Sequence, residues 1–107
     1  MKLVLSIVSN DDSSVVSAAL TKEGFSVTKL ATTGGFLRVG NTTFLVGVED
    51  EKVDTVIEII KKQSRKRTQM MPMTSSYEGG MFSAYPVEVT VGGATIFVLN
   101  VDHFEKA

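Results

Sequence analysis

Five short apolar blocks and two helical stripes, separated by polar and Gly-rich segments, organise this 107-residue chain. Residues 2–9, rich in Val, Leu and Ile, predict a first strand. Asn10, Asp11, Asp12 and Ser13 follow with side-chain oxygens of the kind that cap helix N-termini. Val15, Val16, Ala19 and Leu20 recur at helical spacing, and Gly24 suits the left-handed position just past a helix end. Alternation predicts a second strand over 25–32 and a third over 42–48. Glu49, Asp50 and Glu51 open a second helix at its positive end. Val53, Val56, Ile57 and Ile60 form its buried stripe, and Lys61 and Lys62 close it. The periodicity stops over 64–85, which reads as one long irregular loop. Val87, Val89 and Val91 alternate with Glu88 and Thr90 as an extra strand, and Gly92-Gly93 turns tightly into a last strand over 95–101.

Without the extra hairpin strand the order is βαββαβ. It predicts an α+β, ferredoxin-like fold in one domain spanning residues 1–107. Both helices then cover one face of the sheet, and the other face is expected to turn polar. It does not. Leu3, Leu5 and Ile7 oppose Val4 and Val8; Leu45 opposes Phe44, Val46 and Val48; Phe97, Leu99 and Val101 oppose Ile96 and Val98. A sheet apolar on both faces must bury the second one, and the pattern supplies no third helix. Copies of the same chain are the simplest cover, so a homo-oligomer is predicted.

The connection over 29–44, Lys-Leu-Ala-Thr-Thr-Gly-Gly-Phe-Leu-Arg-Val-Gly-Asn-Thr-Thr-Phe, is longer than the two residues a hairpin needs. It reads as a loose loop or as a flap that closes over something. Composition narrows what that could be. The chain has no cysteine, which excludes disulfides, thiolate metal sites and cysteine catalysis. A net charge of −1 draws no polyanion to the whole surface. Lys61, Lys62, Arg65, Lys66 and Arg67 read as a solvated helix end without aromatic interleaving, so nucleic acid is not expected. Met70, Met71, Met73 and Met81 fit an adaptable partner surface or packing at a subunit edge. The first apolar run is too short for a signal peptide or a membrane span, and a cytoplasmic location is expected. His103, the single histidine, has no evident triad partner, and no Gly-x-x-x-x-Gly-Lys loop is present. Neither an enzyme nor a bound cofactor or metal is expected.

Several blocks together resemble one known family. Thr28-Lys-Leu-Ala-Thr-Thr-Gly-Gly-Phe-Leu-Arg38, Gly40-Asn-Thr-Thr-Phe44, Gly47-Val-Glu-Asp50, Tyr85-Pro-Val-Glu-Val89 and Val91-Gly-Gly-Ala-Thr-Ile-Phe-Val98 look like the PstA-type cyclic-di-AMP receptors. These are PII-like signal transduction proteins, and the resemblance covers nearly the whole chain in order. It implies a ferredoxin-like subunit in a homotrimer, with the sheets facing the threefold axis and a nucleotide site in each cleft between neighbours. It also implies two loops over that site, corresponding to 31–42 and 64–85 here.

The family's adenine pocket falls on Gly35, Phe36, Leu37 and Asn41, with Thr28 and Gly47 beside it and Gly92, Gly93 and Phe97 from the neighbouring subunit. The chemistry agrees. Apolar and aromatic side chains pack on a base face, an Asn carboxamide offers a donor and an acceptor to the adenine edge, and Gly lets backbone approach closely. Close family members carry Arg where this chain has Ser26 and Asn where it has Gly24. Lys29 and Arg38 are then the nearby cations that could face the phosphates. The ending His103-Phe-Glu-Lys-Ala107 also departs from the family pattern. The resemblance implies a non-enzymatic sensor that binds cyclic-di-AMP and orders its loops for an unidentified downstream protein. The alternative is a trimeric scaffold with a degenerate site, or a sensor of another adenine nucleotide.

Overall fold

The computed structural model describes residues 1–30, 40–72 and 86–107. Strand β1 (Lys2–Ser9) leads into helix α1 (Asn10–Lys22), followed by β2 (Val27–Leu30) and β3 (Asn41–Val48). A single 3-10 turn, Asp50–Lys52, precedes α2 (Val53–Gln63). Then come β4 (Arg67–Pro72), β5 (Pro86–Val91) and β6 (Ala94–Asn100). The main sheet is antiparallel with order β2-β3-β1-β6, the order a βαββαβ ferredoxin-like chain produces once β4 and β5 are set aside. Helices α1 and α2 pack on each other and on one face of this sheet.

Alternation along the strands explains the core. Val4 and Val8 of β1 and Phe44, Val46 and Val48 of β3 point to the helices, as do Val16 and Leu20 of α1 and Val56 and Ile60 of α2. All nine are buried. Ser6 sits among them on β1, also buried, and its hydroxyl has no hydrogen-bond partner. The helical stripes differ in detail from the pattern. Val15 is half exposed, and Asp12 takes the buried position one turn before Val16 and two before Leu20. On α2 it is Ile59, with Val53, that packs against the core, in place of Ile57. Both differences follow from which side the sheet lies on, a choice that the 3.6-residue period leaves open by tens of degrees.

The cap of α1 also moves. Ser9 is the N-cap, its Oγ accepting from the Asp11 N–H at 3.2 Å, while Asn10 is already helical and sends its side chain elsewhere. Gly24 has φ of 90° just past the helix end, as its position predicts.

The largest correction concerns 64–85. Residues 67–72 are not irregular: β4 pairs with β5 in a separate two-stranded sheet, Arg67 opposite Val91 and Pro72 opposite Pro86. The extra strand β5 therefore joins β4, and β6 pairs with β1. Gly92 and Gly93 do not close a β5–β6 hairpin. With φ of 86° and 85° they swing the chain from one sheet to the other. A Cβ on Gly92 would collide with the carbonyl oxygen of Arg65, so packing as well as backbone conformation requires glycine there.

Candidate functional site

The face of the main sheet that the helices leave uncovered is apolar. Cross-strand pairing sets Thr28, Leu45, Leu5 and Phe97 side by side, with Gly47, Leu3 and Leu99 in the neighbouring row. Phe97 and Leu99 on β6 and Leu30 on β2 are 52%, 46% and 38% exposed, large apolar side chains left open on one sheet face. At one end of this face lies a cleft of about 620 Å³, within the range of small-molecule sites. Leu3 and Leu45 contribute apolar lining, Ser26 and Thr28 contribute hydroxyls, and Gly47 leaves open space where a Cβ would stand. Phe104, Glu105 and Lys106 border the same cleft.

A second, smaller cleft of about 280 Å³ lies at the other end of β1 and β3, where Asn41, Ser9, Gly92 and Gly93 meet Lys66. Asn41 is four residues from Leu45, the partner of Thr28, so the two clefts are separated by roughly 13 Å of strand. Around the smaller cleft the first turn of α1 holds the entry to β3 and the start of β4. The Asn10 N–H donates to the Gly40 carbonyl at 2.7 Å, and the Thr42 hydroxyl donates to Asn10 Oδ1, fixing the chain as it enters β3. Arg67, at the start of β4, forms a fork on Asp12, with Nη2 to Oδ1 at 2.9 Å and Nη1 to Oδ2 at 3.3 Å. Nη1 also reaches the Arg65 carbonyl at 3.1 Å. The Asp12 carboxylate holds the Arg67 pKa above its ordinary value, chiefly through these hydrogen bonds.

The asymmetry of this pair makes a prediction. The Asp12 side chain is 8% exposed and that of Arg67 is 38% exposed. Arg67→Met strands a buried carboxylate, whereas Asp12→Asn leaves a cation that reaches water. Arg67→Met is therefore expected to lower the melting temperature more and to speed amide exchange in β4 and β5 more. Equal effects would show that burial of the acid is not what the fork serves.

The structure places the candidate residues in two groups. Thr28 and Gly47 share the larger cleft with Ser26, and Phe97 lies in the Thr28 row, about three strand spacings or roughly 14 Å away. Asn41, Gly92 and Gly93 share the smaller cleft within one chain. Gly35, Phe36 and Leu37, with Arg38, lie outside the described residues, as does most of the expected flap. Lys29 is on the wrong face to serve beside Ser26: it pairs with Phe44 on the helix side, while Thr28 points to the open side. Asn10, Asp12, Arg67, Phe104 and Lys106 were not anticipated as site residues. Asp12 at four-residue spacing from Val16 and Leu20 carried a legible signal of burial; Phe104, a lone aromatic beyond the last strand, carried a weaker one.

Comparison with known proteins shows the family. A family model described as cyclic-di-AMP receptor matches residues 1–107. The chain belongs to the cyclic-di-AMP receptor family. A crystal structure of a protein described as functionally unknown, from Pediococcus pentosaceus ATCC 25745, is similar at 46% sequence identity and a TM-score of 0.76. The match covers 99% of this chain and 96% of the other. As a family of receptors, the cyclic-di-AMP receptors bind a signal molecule and are not defined by a reaction, in keeping with the expectation of a binding protein. No helix among the described residues is long and apolar enough to cross a membrane.

Proposed function

We propose that this chain is a PII-like sensor that binds cyclic-di-AMP between the subunits of a homotrimer. Ligand binding orders the flap expected over 31–42 and the part of the 64–85 connection that follows β4, and a downstream protein tells the two states apart. One observation carries the reading: a cleft with Ser26, Thr28 and Gly47 opens on the apolar sheet face of a chain matched end to end by the receptor family. An apolar face needs a cover, and threefold packing of the face covers it while setting each cleft beside a neighbour. Differential contacts with the free and liganded loops are what a downstream protein requires to read the state.

Calorimetry with cyclic-di-AMP, ATP and cyclic-di-GMP on one preparation tests the ligand. Binding of cyclic-di-AMP alone supports the reading; preference for ATP, or no binding at all, turns it into the other-nucleotide sensor or the scaffold. Ser26 sharpens the experiment. Ser26→Arg is expected to tighten cyclic-di-AMP binding by roughly 1.5–3 kcal/mol, the range for a hydrogen bond to a charged group. The gain is expected to shrink as salt rises, because Ser26 is exposed and the new contact is ionic. Asn41→Ala is expected to weaken binding in both backgrounds. Tightening that ignores salt would remove phosphate contact as the role of position 26.

A further inference from the structure

Charge is distributed unevenly along this chain. Residues 61–67 hold Lys61, Lys62, Arg65, Lys66 and Arg67 without an acid, while the other 100 residues carry six Lys or Arg against 12 Asp or Glu. Arg67 turns inward to its fork on Asp12, and the remaining four are exposed. Little in the subunit uses them. Lys61 faces Glu58 at 3.8 Å with both side chains well exposed, a pair worth little, and Lys62, Arg65 and Lys66 have no ion-pair partner among the described residues. The α2 dipole amounts to about half a negative charge at this end, which four cations exceed several-fold. Two open hollows of about 410 and 370 Å³ share Lys61 and Arg65 and so run together as one shallow groove. Ile59 lines its α2 end, and Gly93 and Ala94 line its β6 end.

We propose that this groove docks an acidic segment of a partner protein. The docking face rests on the receptor reading, which calls for a downstream protein, and gives that protein a chemistry. Charge complementarity selects the class: a segment with a few Asp or Glu meets four cations and one apolar contact from Ile59. Nucleic acid fits less well. Glu58 lines the groove and Asp54 stands one turn before it on α2, so a continuous chain of phosphates runs onto acids. Helices α1 and α2 cover the sheet face opposite Phe97 and Leu99, so the groove stays open when the apolar face is covered. A threefold assembly presents it three times, which adds avidity for a multivalent partner. The groove is also joined to candidate site residues. The Gly93 N–H donates to the Ser64 carbonyl, and Lys66 lines both the groove and the smaller cleft that holds Asn41 and Gly92. A shift at either glycine therefore reaches the cations.

The probe is a fluorescein-labelled octaglutamate peptide, titrated with the full chain beside labelled octaglutamine and a short DNA duplex, with circular dichroism checking the fold of each variant. Wild type is expected to bind octaglutamate, more weakly as salt rises, and to ignore octaglutamine. The amide resonances of residues 61–66 are expected to shift with the peptide in the wild type. Lys62→Glu and Arg65→Glu are each expected to weaken binding roughly tenfold, since each removes an attraction and adds a repulsion. Lys52→Glu, before the start of α2, changes the net charge equally and is expected to leave binding within about twofold, being remote from the groove and screened. Saturating cyclic-di-AMP is expected to change the wild-type affinity for octaglutamate by about fivefold or more, as coupled sites do. No octaglutamate binding, equal loss in all three variants, or tighter binding of the duplex would overturn the groove as the docking face and leave the receptor reading standing. So would an octaglutamate affinity indifferent to bound cyclic-di-AMP. Octaglutamate binding at residues 61–66 by a wild type silent to cyclic-di-AMP would overturn the receptor reading alone.

Discussion

Phe44→Ala is expected to destabilise the fold by about 3–5 kcal/mol, the range for a large aromatic truncated in a packed core. Phe44 is the largest fully buried side chain among the described residues, at 1% exposure. It sits on β3 between Lys29 of β2 and Ser6 of β1, and its ring faces the helices. Three features make a high value the expectation. The strand is central in the sheet, so the backbone cannot collapse into the void without breaking ladders on both sides. Val4, Val46, Val56 and Ile60 are all buried and belong to the same core cluster as Phe44. The neighbouring Ser6 hydroxyl is unpartnered, so it offers no polar anchor to hold the site once the ring is gone. Against a typical stability of about 5–15 kcal/mol, such a loss removes much of the margin. Urea unfolding measures it. A change below about 1 kcal/mol would mean that the core repacks freely, contrary to the close packing of protein interiors.

Leu99→Asp is expected to turn the proposed trimer into monomers while leaving the subunit folded. Leu99 is 46% exposed on the uncovered sheet face, beside Leu3 and near Phe97. Its side chain adds nothing to the helix-side core, so aspartate in an isolated subunit points into water. In a threefold assembly the same change buries three carboxylates on one axis without partners, each costing several kcal/mol. Like charges near the axis add to that cost. Sedimentation of wild type and variant reads the outcome, with circular dichroism confirming the fold. A variant that sediments as the wild type does would show that this face is not the subunit contact. A variant that unfolds would show that the face is part of the subunit's own core.

Much of the architecture was legible because local pattern and tertiary environment agreed. The alternation in residues 2–9 and 42–48 named the strands nearly to the residue, and the double apolar pattern marked a sheet whose second face is also apolar. Gly24 was placed by backbone conformation alone. The candidate site was less legible. Thr28 and Gly47 do share a cleft with Ser26, but Lys29 could be excluded beside Ser26 only once the register put it opposite Phe44. Strand β4 was missed because Arg67-Thr-Gln-Met-Met-Pro72 has no period-2 alternation; its order comes from hydrogen bonds to β5 and from the fork on Asp12.

From its residues alone this chain declared the βαββαβ order of its main sheet and helices, its two-faced sheet and the family to which it belongs. Those depend on short-range periodicity and on blocks of contiguous sequence. The tertiary structure alone decided that Asp12 is buried against Arg67 and that Asn10 binds the entry to β3 rather than capping its helix. It likewise decided that Phe104 and Lys106 stand beside Thr28. Each of these joins residues far apart in the chain, and the distance between them is set by how the helices and strands pack, which no local pattern encodes.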